Sequence, residues 1–421
     1  MKYQIRLLAL LALLSIITYL DRICVAVAGP RMQDDLRISP EAWGWVTGVF
    51  ALSYGAFSIP IGALGDRLGP RRVLTWIVLW WSAFTALTGT ASNYYVLLLT
   101  RFCFGMGEAG AYPNASTVIV RWIPARHMGG AWGVVWMAGQ IGGAISPLVM
   151  VPIQTHYGWR ASFYLFGLFG VIWSFVWYWW FRNSPAEKLG VATVELSKMD
   201  GAPSPRDQAL PWSTALHSGN LWCAMGIAAS YVYAMYFFHS WFQTYLLRGR
   251  GFSEGELMLS AWPYVVGAGA NGLGGIVSDR LAATYGAKTG RRMVGVAGLG
   301  TAAVFMAATV LTESGVLALI FLSLAYGGMT FQQPNFFAAS MAMGRKHAGF
   351  VLGFVNTAAQ VASLVSSVVF GYIVKAYGNY DAPLLPMVAA LLIGVLLWFR
   401  VDPKLDIFDE NSPVATGLST N

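Results

Sequence analysis

The chain has 421 residues, 56% hydrophobic and 11% charged, with 27 Lys and Arg against 19 Asp and Glu. Soluble domains carry about 25% charged residues, so a water-exposed globular domain is excluded. The apolar content runs along the whole length, which excludes a soluble domain with a single anchor. Cys24, Cys103 and Cys223 are scattered through apolar stretches and the five histidines form no ligand spacing, so neither a disulfide framework nor a metal site is expected.

The N-terminus, with Lys2, Arg6, an apolar run and Ala26-Val27-Ala28, has the form of a secretory signal. It is nevertheless expected to be retained, because its removal would discard Asp21 and Arg22 and leave an odd number of spans. Stretches of about 20 apolar residues suffice to cross a bilayer. Six are expected in the first half, at 7–28, 43–64, 73–91, 95–120, 129–153 and 161–181. The segment 182–220 then carries Pro185, Pro203, Pro205, Pro211 and mixed charges, and reads as a linker. Six more spans follow at 221–246, 256–277, 293–311, 316–343, 350–376 and 383–399. The expectation is an all-α membrane protein of twelve transmembrane helices, with halves 1–181 and 221–401, linker 182–220 and tail 402–421.

Lys and Arg favour the cytoplasmic side of a membrane. With the N-terminus inside, nineteen of the 27 fall on inner segments, six on outer ones, and Arg22 and Arg101 within the membrane. Both termini are therefore expected to be cytoplasmic. The net charge of +8 is a topology signal, not a nucleic-acid footprint.

The halves repeat. Gly62-Ala63-Leu64-Gly65-Asp66-Arg67-Leu68-Gly69-Pro70-Arg71-Arg72 follows the second span. Gly274-Gly275-Ile276-Val277-Ser278-Asp279-Arg280-Leu281 follows the eighth, and Gly290-Arg291-Arg292 closes that loop after an insertion. Asp66 and Asp279 are 213 residues apart, about half the chain. Duplication around a cytoplasmic linker is the architecture of a two-lobed alternating-access transporter, whose substrate site lies near the midplane.

Four ionisable residues fall inside spans: Asp21 and Arg22 in the first, Arg101 and Glu108 in the fourth. A charge at mid-bilayer costs roughly 2.5–3.5 kcal/mol on translocon scales, so such residues face the bundle interior and mark pathways. Arg101 and Glu108 are nearly two turns apart, on one helix face and about 10.5 Å apart along the axis. Asp21 and Arg22 are about 100° apart around their helix and cannot face one point. Arginine offers a fork that grips a carboxylate at any working pH. A carboxylate in a water-poor site can take and release protons near neutrality. The bland alternatives are a buried ion pair that only fixes packing for Arg101 and Glu108, and an interfacial snorkelling pair for Asp21 and Arg22.

The glycine-rich Asp66–Arg72 loop resembles the signature of the major facilitator superfamily. Tyr19-Leu20-Asp21-Arg22 and Arg101-Phe102-Cys103-Phe104-Gly105-Met106-Gly107-Glu108-Ala109-Gly110-Ala111-Tyr112-Pro113 resemble its anion:cation symporter family, which includes bacterial galactonate, glucarate, hexuronate and phthalate importers. The resemblance spans essentially the whole chain, more loosely in its second half. It implies proton-coupling roles for Asp21 and Glu108, a substrate-anchoring role for Arg22, and coupling of substrate binding to the proton site through Arg101. It also implies a gating role for Asp66, Arg67, Arg71 and Arg72, which latch helix ends in such proteins. Among polar side chains able to read substrate hydroxyls it favours Tyr19, Tyr54, Gln140 and Asn356, each of which could equally serve an interhelical hydrogen bond. His239 is expected to be a packing residue. Trp80-Trp81 and Trp177-Tyr178-Trp179-Trp180 are expected to belong to interfacial belts and packing.

No P-loop, catalytic triad or dinucleotide fingerprint is present, so neither a primary pump nor an enzyme is indicated. The expectation is a monomeric, proton-coupled importer of a small organic anion in the cell membrane, with no cofactor beyond protons. A sugar acid such as galactonate, glucarate or a hexuronate is favoured by resemblance; a small dicarboxylate, an aromatic acid or a sulfonate stays open. The alternative is an organic-anion antiporter or efflux carrier of the same fold.

Overall fold

A computed structural model describes residues 2–124, 127–183, 212–344, 347–403, 405 and 407, without the side chains of Lys2, Asp66, Trp212 and Ser213. Most of the expected linker and tail therefore lie outside the described residues. Helices α1 (Lys2–Asp35), α2 (Pro40–Leu68), α3 (Pro70–Thr88), α4 (Tyr94–Glu108), α5 (Ala111–Trp122), α6 (Met128–Tyr157) and α7 (Trp159–Trp180) make up the first half. After a short helix Trp212–His217 come α8 (Gly219–Ser240), α9 (Trp262–Tyr285), α10 (Ala287–Leu311), α11 (Gly315–Gly344), α12 (Ala348–Tyr377) and α13 (Leu384–Trp398). No strand occurs among the described residues. Eight of these helices are by themselves long and apolar enough to cross a membrane.

Three expected spans are not continuous helices. The fourth breaks at Ala109–Gly110 into α4 and α5. Pro113 has no N–H to donate, and the break puts it in the first turn of α5, where none is needed. The seventh ends at Ser240, where the Ser240 carbonyl accepts the Trp43 indole N–H at 3.4 Å and Trp241 leaves helical geometry. One turn (Phe242–Thr244) and a π-helical turn (Tyr245–Gly249) follow. The eighth starts as a 3₁₀ helix (Gly255–Ala261) and then runs on to Tyr285, because the insertion after Asp279 continues the helix.

Contacts divide the chain into two compact units. One holds the described residues within Met1–Arg206, with His239–Ala261 and Ser367–Lys375; the other holds those within Asp207–Phe238, Trp262–Ser366 and Ala376–Asn421.

In the first unit small residues bring helices to backbone contact. A Cβ on Gly142 of α6 would stand 2.9 Å from Ile16 Cα of α1, and one on Gly105 of α4 would stand 2.7 Å from the Phe50 carbonyl of α2. α1 is thus held against α6, and α2 against α4. At the basic end of this unit Gly69, with φ 85°, turns α2 directly into Pro70 of α3, a backbone region open to glycine. Arg71 donates from its backbone N to Asn183 Oδ1 at 3.0 Å and from Nε to the Tyr178 carbonyl at 2.9 Å, with its guanidinium 4.5 Å over the Tyr178 ring.

The second unit repeats that device. Arg292 donates to the Phe399 carbonyl at 2.8 Å and lies 5.6 Å over the Phe399 ring. Arg71 and Arg292 are 221 residues apart, as are Tyr178 and Phe399, Asn114 and Asn335, and Trp177 and Trp398. The insertion after Asp279 accounts for the shift from the 213-residue spacing of Asp66 and Asp279. The duplication legible in the loop motif extends to its contacts with the last helix of each half.

Candidate functional site

α1, α2, α3 and α4 place the four membrane-embedded charges together. Arg22 donates from Nε to Glu108 Oε1 at 2.5 Å, joining α1 to the end of α4 where that helix breaks. Glu108 is fully buried, and the Arg22 side chain keeps 16% of its surface exposed. The guanidinium lies 5.8 Å over Tyr19, 5.1 Å over Phe50 and 4.8 Å over Tyr54. Arg22 Nη2 and Glu108 Oε2 have no hydrogen-bond partner among the described residues. The pair is therefore only singly bonded, and the arginine retains donor capacity beside three aromatic faces.

Asp21 points elsewhere, as adjacent helical positions must. It is fully buried, and neither carboxylate oxygen has a hydrogen-bond partner among the described residues. The charges acting on it most strongly are Glu108, which repels it, and Arg101, which attracts it. Trp81 of α3 lies beside it, fully buried, its indole N–H without an acceptor at hydrogen-bonding distance. Arg101 is 4% exposed, with its guanidinium 4.3 Å over Phe104 and 5.4 Å over Phe50. Phe50 is thus shared by the Arg22 and Arg101 guanidinium groups, at 5.1 and 5.4 Å.

Tyr19 is buried and packs edge-on against His239 at 6.0 Å. Tyr54 is buried under Arg22. Gln140 of α6 is 4% exposed and adjacent to Gly139, where a Cβ would stand 2.8 Å from the Tyr19 ring. Asn356 belongs to the second unit, where its Oδ1 accepts from Gln360 at 3.4 Å. Of the loop residues, Arg71 binds the end of α7; Arg67 and Arg72 are exposed, and the Asp66 side chain lies outside the described residues.

Sequence reasoning did not assign Trp81, Phe50 or Tyr112 to the site. Tyr112 shares a 3.1 Å hydrogen bond with Ser15 and stacks on Trp136 at 5.0 Å. Nothing local distinguishes these aromatics from belt or packing residues. Only their approach to α1 does.

The end of the first unit opposite Arg71 carries a cluster of ion pairs. Arg31 bonds both Glu254 oxygens and the Gln154 carbonyl. Arg248 bonds Asp34 at 2.6 Å, Gln33 at 3.3 Å and the Pro30 carbonyl at 3.2 Å. Lys375 bonds Glu41 at 2.6 Å. The hydrogen bonds from Arg31 hold the Glu254 carboxyl below its ordinary range, as those from Trp159 and Arg160 hold Asp35. These contacts tie segments 239–261 and 367–375 to α1 and α2.

The chain is 31% identical over 406 residues to "Probable sulfoacetate transporter SauU" of Cupriavidus necator, covering 95% of this chain and 94% of that one. It is 28% identical over 406 residues to the "Hexuronate transporter" of Bacillus subtilis, covering 94% and 93%. A crystal structure of a bacterial homologue of the human lysosomal transporter Spinster, inward-facing and occupied, superposes with a TM-score of 0.77 at 20% identity over 95% of this chain and 97% of that one. The Major Facilitator Superfamily model matches residues 11–367, and with the helical architecture and duplicated loop motif this places the chain in that superfamily.

Proposed function

We propose that this chain is a proton-coupled importer of a small organic anion in the cell membrane, with both termini cytoplasmic. The observation that carries the reading is the single hydrogen bond between Arg22 and Glu108. An anionic substrate that takes the Arg22 fork must displace the Glu108 carboxylate, and a proton on Glu108 removes that competitor. Anion and proton then favour each other's binding, and linkage makes the effect reciprocal. Asp21, buried beside Trp81 with no partner at hydrogen-bonding distance among the described residues, serves as a second proton acceptor whose charge is balanced by Arg101. The aromatic walls of Tyr19, Phe50 and Tyr54 hold the guanidinium in place and leave its outer edge for the substrate.

The relatives' names support a carboxylate or sulfonate cargo: sulfoacetate, hexuronate and galactarate/D-glucarate. A sugar acid remains our favoured class, with a small sulfonate next. The test is uptake into proteoliposomes of galactonate, glucarate, glucuronate, phthalate, tartrate and sulfoacetate under an inward proton gradient, with and without a protonophore. Accumulation of one anion that collapses with the protonophore is the expected result. Exchange against preloaded anion without accumulation would replace the symporter with an antiporter. Arg22→Ala is expected to abolish binding of the transported anion; normal binding would remove the anchor role.

A further inference from the structure

α3 and α7 run together in the first unit, drawn close by Gly167, where a Cβ would stand 2.7 Å from the Ser82 carbonyl. At the end carrying Arg71 the seam opens into a groove of about 400 Å³. Trp76 and Trp179 wall it, 71% and 76% exposed, and Tyr178 and Arg72 also line it. Of the three hydroxyl-bearing residues lining the groove, two are committed to their own helices: Thr75 donates to the Arg71 carbonyl at 2.8 Å and Ser174 to the Gly170 carbonyl at 2.9 Å, and Tyr178 is the third. Arg71 is likewise held by Tyr178 and Asn183. Arg72 is exposed and makes no hydrogen bond or ion pair with the described residues.

We propose that this groove seats one anionic phospholipid, its phosphate on Arg72 and an acyl chain between Trp76 and Trp179. The chemistry is that of an amphiphile: one available cation above walls built mainly from Trp76, Leu79, Phe175 and Trp179. Tryptophan rings sit at the headgroup level of a bilayer, and basic residues there attract anionic lipids.

The duplicated half is an internal control. The residues 221 positions on from Arg72, Thr75, Trp76 and Ser174 are Met293, Val296, Ala297 and Val395. The Arg71 contact with the last helix is kept by Arg292, so the fold needs that latch in both halves. The second half keeps neither tryptophan, the counterpart of Trp179 being Arg400, and has no cation at the counterpart of Arg72.

The experiment is native mass spectrometry of the full-length protein released from nanodiscs of equimolar phosphatidylglycerol and phosphatidylcholine. One phosphatidylglycerol is expected to be retained in preference. Arg72→Gln is expected to cut that retention about fivefold or more, Arg72→Lys to keep it, and Arg121→Gln to leave it unchanged. Inorganic phosphate should not displace the lipid. Equal retention of the two lipids, unchanged retention in Arg72→Gln, equal loss in Arg121→Gln, or displacement by phosphate would each overturn the proposal.

Discussion

Replacing Glu108 by Gln keeps the shape of the α1–α4 contact and removes the negative charge that competes with substrate for Arg22. With charge centres about 4 Å apart and an effective dielectric of 20, the attraction is about 4 kcal/mol. Arg22 is partly exposed and rests on three aromatic rings, each able to contribute about 0.5–1 kcal/mol, so part of that attraction is replaced when the carboxylate goes. The net gain in anion affinity is expected to be about 1.4–2.8 kcal/mol, or 10- to 100-fold. The gain belongs to high pH alone. Where Glu108 is ionised the wild type must break its pair, whereas at low pH its protonated carboxyl competes no better than the amide. The assay is equilibrium binding of the transported anion to detergent-purified protein at pH 5.5 and pH 8. Wild-type binding should tighten as pH falls, and Glu108→Gln should lose most of that dependence, any remainder belonging to Asp21. In proteoliposomes the same variant should lose proton-driven accumulation and keep counterflow. Weaker binding than wild type at both pH values, with loss of counterflow, would make the pair a structural brace and refute the competition.

Three further outcomes follow from packing and charge. Gly142→Ala should destabilise the protein by about 1–3 kcal/mol through forced separation of α1 and α6, whereas Gly133→Ala, whose Cβ would meet nothing within 4 Å, should not; equal shifts in thermal unfolding would contradict the close-approach reading. Asn335 accepts from Ser278 at 2.8 Å and donates to the Arg291 carbonyl at 2.8 Å, while Asn114 makes its close bond only to the Gly110 carbonyl at 2.8 Å. Asn335→Ala should therefore cost more than Asn114→Ala, within the range of about 1–3 kcal/mol for orphaned buried groups. The Glu254 carboxyl is held below its ordinary range by Arg31, so its stabilisation is complete above the usual glutamate value of about 4.3 and is lost as pH falls through the lower folded value. Melting temperature measured between pH 7 and pH 3 should fall less steeply for Glu254→Gln than for wild type in the acid part of that window.

The sequence alone determined the membrane class, the order and approximate places of the apolar spans, the duplication and the four embedded charges. These follow from local quantities: about 20 apolar residues match a bilayer, and a charge among them is costly enough to stand out. The fourth span was legible as one apolar stretch, 95–120. Whether the fourth span bends or breaks depended on what packs there, and the tertiary structure decided for a break at Ala109–Gly110.

Partnership was likewise a tertiary matter. Helical spacing places Arg101 and Glu108 on one face, which suggests that they serve each other. The fold instead gives Glu108 to Arg22 across two helices, 86 residues apart in sequence. It places Arg101 over Phe50 and Phe104 and sets Trp81 beside Asp21. Periodicity fixes the direction of a side chain around its own axis only. Which groups meet across an interface depends on how closely glycines such as Gly105 and Gly142 let the helices approach, and that is settled by packing of the whole bundle.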